Sequence, residues 1–350
     1  MNERMTGAAY AAGWKLVRVL PERPVRAVFS AGAGWFAGRG GAGPKRLAAN
    51  LRRVVGPGMS DADLADLTKR AVQSYARYWY EAFRLPEWSK AEINRRFVLE
   101  NADVLHAAVA AGNGVVVALP HAANYDLAGA WASLHGAPVT TVMERLKPED
   151  LYQRFLGFRR QLGMEIMPLT GGLRPPLDVL TERLREGRVV VLLADRDLSA
   201  RGVEVEFFGE TTKMPAGPAV LALRTGAPLY GLALWNDGPV TRARLIGPLD
   251  TGPRDTGPGN AADAESHGGR TEVHANGGTP GGGELGDGSA PQSVVVEEEN
   301  PPHRDTTRIA AVTQRVADAL AEGIAAHPVD WHMLQPLWLA DLPSRRRRPK

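Results

Sequence analysis

The sequence predicts an α/β fold: a central mostly parallel or mixed sheet flanked by helices, preceded by an N-terminal amphipathic helical region that contacts a membrane. Two observations carry the sheet. Val115–Leu119 and Val189–Leu193 are five-residue runs without a polar member, the pattern of strands covered on both faces. Other short apolar runs alternate with helical stretches of about 10–15 residues, as in sheets whose strands are joined by crossover helices. A third observation sets the scale. A chain of 350 residues, 44% of them apolar, suffices for one large domain or two small ones.

The first 56 residues read as helical and surface-seeking. Trp14, Leu16, Val17, Val19, Leu20, Val25, Val28, Phe29, Trp35 and Phe36 interleave with Lys15, Arg18, Arg23, Arg26 and Arg39. Such a mixture fits a segment lying in the head-group layer of a membrane; a helix packed on the domain's own core is the alternative. The longest uncharged run, Ala27–Gly38, has 12 residues and is rich in glycine, short of the about 20 that span a bilayer. The start also lacks the pattern of a secretory signal.

Ser60 and Asp63 then open a helix, along which Leu64, Leu67, Ala71, Tyr75, Tyr78 and Phe83 recur at helical spacing to about Leu85. Strand Phe97–Leu99, a helix over Ala102–Ala111, strand Val115–Leu119 and a helix over Asp126–Leu134 follow. Next come strand Val139–Val142, a helix over 148–162, strand Ile166–Pro168, a helix over 174–186 and strand Val189–Leu193. Strands Leu229–Trp235 and Thr241–Ile246 complete the sheet. Thr306–Ala326 is a last helix, with Ile309, Val312, Val316, Leu320 and Ile324 on one face.

Residues 250–305 break this pattern. They hold 12 Gly and 6 Pro among 56 positions, too little apolar surface to offset the entropy of ordering. The segment reads as a disordered acidic insertion in one domain formed by residues 1–249 and 306–350. With 11 Asp and Glu against 3 Arg it carries a net −8, and because the whole chain is +3 the remainder carries +11. A basic body suits an anionic partner. No nucleic-acid motif accompanies the charge. The basic end Ser344–Lys350 is either a solvated tail or a further contact with anionic lipid. Cysteine is absent, which excludes disulfides, thiolate zinc sites and a cysteine nucleophile and is compatible with a reducing compartment.

The candidate chemistry lies just past the two Val-rich strands, where α/β sheets place their sites. His121 follows one and Asp195 the other. Asp126 stands five residues after His121. In one continuous helix the two would point about 140° apart; with His121 in a loop and Asp126 in the first helical turn they can meet. The carboxylate would then accept the Nδ1 proton and leave Nε2 as a base able to activate a hydroxyl. A histidine that merely caps the helix is the alternative.

Several blocks resemble one known group of enzymes. His121-x4-Asp126 after a Val-rich strand resembles the signature of the glycerolipid and lipid A acyltransferase superfamily. Tyr10–Trp14 with Leu20-Pro21-Glu22, Ala48–Gly56, Phe207-Phe208-Gly209 and Met214–Ala219 are similar to blocks of its late lipid A acyltransferase branch. Within that branch, Glu144–Pro148 and Ala194–Leu198 most resemble the actinobacterial phosphatidylinositol mannoside acyltransferases. The likeness runs from about residue 8 to 248 and resumes near 306; residues 250–305 depart from it.

The resemblance implies an enzyme peripheral to the cytoplasmic face of the plasma membrane. It would move a long acyl chain, palmitoyl expected, from acyl-CoA as co-substrate to a mannose hydroxyl of a phosphatidylinositol mannoside, with no resident cofactor and no metal. His121 would deprotonate the hydroxyl and Asp126 would orient it. Asp195 stands where relatives carry a glutamate near the histidine, one methylene longer; a salt bridge within Asp195-Arg196-Asp197 is its other reading. Arg159, Glu144, Arg196 and Asn124 would contact substrate, with surface ion pairs the alternative for Arg159, Glu144 and Arg196. The oxyanion donor would be a backbone N–H near Ala122 or in the Gly171-Gly172 turn.

Three other functions fit parts of the pattern. One is acylation of a different glycolipid or lysophospholipid at the same site. Another is a metal-dependent hydrolase using His121 with Asp126, Asp195 and Asp197, for which His135 is the one further imidazole close in sequence and no His-x-x-x-His pair exists. The last is a non-catalytic lipid-surface binding protein, which leaves the two carboxylates at strand ends without a purpose.

Overall fold

A computed structural model describes residues 16–144, 149–172, 174–197, 202–252 and 303–342. Its order is α1 (Glu22–Gly38), α2 (Ala42–Val55), α3 (Asp61–Arg84), α4 (Lys90–Arg96), β1 (Phe97–Leu99), α5 (Ala102–Ala110), β2 (Val115–Leu119), α6 (Tyr125–Leu134), β3 (Val139–Met143), α7 (Glu149–Gln161) and β4 (Glu165–Pro168). There follow α8 (Pro176–Arg185), β5 (Val189–Leu193), the hairpin β6 (Val203–Phe207) and β7 (Glu210–Met214), α9 (Gly217–Thr225), β8 (Leu229–Asp237), β9 (Val240–Ile246) and α10 (His303–Ala326).

Seven strands form the main sheet in the order β1-β9-β8-β2-β5-β3-β4. Every pairing is parallel except β8 with β9. The apolar runs of β2 and β5 have a simple cause. Successive side chains of a strand point to opposite faces, and both faces are covered. Val115, Val117 and Leu119 pack with Leu105, Leu127 and Phe155 of α5, α6 and α7. Val116 and Ala118 pack with Leu51, Ala71, Leu221 and Val316 of α2, α3, α9 and α10.

Two glycines let α10 lie flat on β8. A methyl on Gly231 would come 2.8 Å from Cβ of Ala319, and one on Gly323 would come 2.8 Å from Cβ of Ala233. This close approach aims the chain after α10, through the short turn Pro328–Asp330, at the end of β2.

The expected helices and strands of the sheet are present with small shifts of boundary. Hairpin β6–β7 and helix α9 were not among the expectations. The last helix starts at His303 rather than at Thr306, so it begins inside the segment expected to be disordered; residues 253–302 of that segment lie outside the described residues, as do Tyr10–Trp14, Arg145–Pro148 and the basic tail. Arg315 grips the near edge through the Asp250 carbonyl at 2.8 Å and its carboxylate at 3.2 Å. Among the described residues no helix is long and apolar enough to cross a membrane.

Candidate active site

Strand register builds the centre of the site. β2 and β5 run parallel with Leu119 opposite Leu193, and the Ala194 N–H donates to the Leu119 carbonyl at 2.9 Å. The ladder thus carries one residue beyond β5, and the next side chain, Asp195, arrives beside His121. Its Oδ1 lies 2.6 Å from His121 Nδ1 and its Oδ2 accepts the His121 backbone N–H at 2.9 Å. The Trp331 indole N–H donates to the same Oδ2 at 3.0 Å. Asp195 is fully buried. Burial alone would push its carboxyl up, toward the protonated form. Electrostatic attraction to the His121 ring, the ring hydrogen bond, the indole and the backbone amide outweigh that and hold the carboxyl below the usual aspartate value.

This corrects the expected pairing. Asp126 was expected to hold Nδ1; Asp195 holds it, although it is one methylene shorter than the glutamate that the resemblance implies at this place. The local ion pair considered for Asp195 is likewise replaced: Asp197 accepts the Gly202 N–H at 2.9 Å, and Asp195 faces the imidazole.

Asp126 is turned away by the geometry of the turn. Ala123 takes a left-handed backbone, φ 43°, and Asn124 caps α6 by accepting the Leu127 N–H at 3.0 Å. Asp126 then falls in the first turn of α6, facing α3 and α7. It accepts Arg159 Nε at 2.7 Å and the Tyr78 hydroxyl at 3.0 Å. The cluster is withdrawn from solvent: Asp126 is buried, and Arg159 is 13% exposed in its side chain. Burial disfavours the Arg159 charge, but Asp126 and the two tyrosines beside it raise the guanidinium above its usual value. The Tyr125 phenol is pushed up by burial and by the Asp126 charge, and so is that of Tyr78. Both hydroxyls stay protonated.

The other expected contacts divide. Asn124 is buried, and its Nδ2 donates to Glu81 Oε2 at 2.9 Å. With its oxygen capping α6, it holds the turn and does not line the pocket beside His121, whereas a substrate contact was expected of it. Arg159 sits behind the site, on Asp126, in a buried pair rather than a surface one. Glu144 is exposed just past β3. Only Arg196 of the four lines a pocket with His121. That pocket, about 220 Å³, is walled by Tyr75, Trp79, Tyr125 and His332. His121 keeps 29% of its side chain exposed there. With Nδ1 on Asp195, Nε2 is the nitrogen left for a ligand.

The C-terminal segment closes the back of the site. The His332 N–H donates to the His121 carbonyl at 2.8 Å, and the Ala123 N–H to the Asp330 carbonyl at 2.9 Å. The Asp330 carboxylate takes the Ser74 hydroxyl at 2.6 Å and Asn236 Nδ2 at 2.7 Å. His332 Nε2 lies 3.1 Å from Ser74 Oγ. Burial chiefly, with the His121 ring beside it adding to the effect, lowers His332 to about 3, so this second imidazole stays neutral. His332, and not His135, is the other imidazole of the site. Among the described residues no group of three or more His, Asp or Glu has metal-holding geometry.

Sequence reasoning missed Trp331, His332 and Asp330, which are remote in the chain, and Ser74 and Glu81. For the last two a signal existed. Ser74, Tyr78 and Glu81 share one face of α3 within its apolar stripe, and a polar residue on a buried stripe needs a partner. Glu81 has two, Asn124 and Arg77, the latter at 2.6 Å.

The sequence is similar to those of known proteins. Residues 2–254 match the family described as bacterial lipid A biosynthesis acyltransferase. A phosphatidylinositol mannoside acyltransferase of Mycolicibacterium smegmatis is 42% identical over 347 residues, covering 99% of this chain and 96% of the relative. One of Mycobacterium tuberculosis is 44% identical over 345 residues, covering 98% and 91%. A match across more than half of the chain, with relatives of this closeness along nearly all of it, makes the protein a member of the bacterial lipid A biosynthesis acyltransferase family.

Proposed function

We propose that the protein moves a long acyl chain, palmitoyl by expectation, from acyl-CoA to a mannose hydroxyl of a phosphatidylinositol mannoside. The observation that carries the chemistry is the His121–Asp195 pair. A buried carboxylate on Nδ1 fixes the tautomer with Nε2 bare and stabilises the imidazolium that forms when Nε2 takes a proton. His121 accepts the proton of the sugar hydroxyl, the oxygen attacks the thioester carbonyl, the carbon–sulfur bond breaks, and the thiolate receives the proton back from His121. The Asp126–Arg159–Tyr78 cluster holds the start of α6 and thereby the turn that presents the histidine. The choice of acceptor is supported by the names of the relatives and by a pocket with aromatic walls, against which a sugar ring can pack.

The membrane reading belongs to the same proposal. Val28 is 70% and Trp35 63% exposed on α1, and Leu16, Val19, Leu20 and Phe36 are exposed nearby. The Arg39 guanidinium sits 4.2 Å from the Trp35 ring centre. Apolar residues beside arginines support a peripheral, lipid-facing surface on the cytoplasmic side, where a lipid acceptor and a soluble acyl-CoA can meet.

The test offers labelled palmitoyl-CoA with phosphatidylinositol, its mono- and dimannosides and unrelated glycolipids. Transfer should be confined to the mannosides. His121→Ala should abolish it while vesicle binding persists; transfer surviving in that variant would rule out the mechanism.

A further inference from the structure

The three amides nearest the His121 ring in the turn that presents it are all engaged. The His121 N–H is on Asp195, the Ala122 N–H is 2.8 Å from the Pro120 carbonyl, and the Ala123 N–H is on the Asp330 carbonyl. The expected donor near Ala122 is therefore engaged. Attack on a thioester nevertheless puts a full negative charge on the carbonyl oxygen, and acyl-transfer sites answer it with a preorganised donor.

Arg196 has the right attributes. It follows Asp195 directly and lines the same pocket as His121. Its Nε is buried without a partner, and among the described residues its guanidinium meets no acceptor. The other arginines around the site differ: Arg159 is held by Asp126 and Arg77 by Glu81. Asp197, the nearest carboxylate in sequence, is bonded to the Gly202 N–H instead. A buried donor without a partner is destabilising and calls for an explanation; a ligand that completes it is one.

We propose that Arg196 stabilises the tetrahedral oxyanion of acyl transfer. The assignment rests on the acyl-transfer reading above. As the hydroxyl oxygen bonds to the carbonyl carbon and its proton passes to His121 Nε2, the carbonyl electron pair moves to oxygen, where the guanidinium holds it. The pair returns when the carbon–sulfur bond breaks, and the thiolate leaves with the proton from His121. No electrons are exchanged with another reactant.

The experiment compares the full chain with Arg196→Met and Arg196→Lys, using palmitoyl-CoA and a phosphatidylinositol mannoside and measuring kcat and both KM values. Arg196→Met should lower kcat by about 10²- to 10³-fold, the cost of losing an oxyanion donor. Both KM values should stay within about twofold. Arg196→Lys should recover part of kcat, which a loss of packing would not. An unchanged kcat overturns the assignment. So does a loss confined to one KM, which would make Arg196 an anchor for a substrate phosphate. If Arg196→Met fails to fold, the lysine variant decides: a kcat below wild type with both KM values unchanged supports the assignment, and an unchanged kcat or a raised KM overturns it. A wild-type protein inert with this donor and acceptor overturns the acyl-transfer reading and the assignment with it.

Discussion

Asp126 lies five residues from His121 and Asp195 seventy-four, yet the distant carboxylate holds the imidazole. The near one closes a buried cluster with Arg159 and Tyr78. Closeness in sequence across a turn depends on how the turn folds, and here a left-handed Ala123 and a capping Asn124 rotate Asp126 away. Closeness across a parallel ladder is set by register. Once β2 and β5 pair, the residues just beyond them meet whatever their separation in the chain. One carboxylate therefore serves the reacting base and the other serves the scaffold.

Substitutions can break that division. Asp195→Asn should have the largest effect on turnover, lowering kcat by about 10³- to 10⁴-fold because the amide no longer enforces the tautomer, with the chain still folded; steady-state kinetics and circular dichroism check both parts. Asp126→Ala should act first on stability. It strands the Arg159 charge in a buried site, a loss of about 3–5 kcal/mol, read by urea unfolding. Adding Arg159→Met should restore part of that stability. If Asp126 were instead the histidine's partner, the second change would restore nothing.

Trp331→Phe removes one hydrogen bond to the Asp195 carboxylate, worth about 1.5–3 kcal/mol for a bond to a charged group, and should lower kcat by about tenfold while the fold persists. The last effect is gradual, a pH dependence. His332 is lowered from 6.5 to about 3 in the folded chain, so its contribution to stability is complete above pH about 6.5 and is lost as the pH falls toward 3, by up to about 1.4 kcal/mol per unit. Thermal unfolding against pH should show this slope, and His332→Gln should flatten it.

The sheet was legible because its strands are buried on both faces. Val115–Leu119 and Val189–Leu193 tolerate no polar residue, and that makes them visible in one dimension. The position of His121 beyond β2 followed from the same run. Hairpin β6–β7 was missed although Val203-Glu204-Val205-Glu206-Phe207 alternates as a half-exposed strand does; its end, Phe207-Phe208-Gly209, drew notice only as a family block. The pairing of β2 with β5 leaves no local mark, and neither does the return of Asp330, Trp331 and His332 from beyond residues 253–302. Asp195 was picked out by a strand end and by resemblance, but only the register explains why an aspartate is long enough. Asn124 was read as a substrate contact because it sits between His121 and Asp126. Its side chain is committed to the Leu127 amide and to Glu81, a partner on another helix.

The central claim, that Asp195 rather than Asp126 sets the state of His121, is tested most directly by nitrogen NMR of the imidazole. With ring-labelled histidine and His121 assigned by its loss in His121→Ala, wild type and Asp126→Asn should both show Nδ1 protonated and Nε2 bare. Asp195→Asn should lose that single tautomer. A fixed Nδ1–H tautomer that survives Asp195→Asn and disappears in Asp126→Asn would contradict the account.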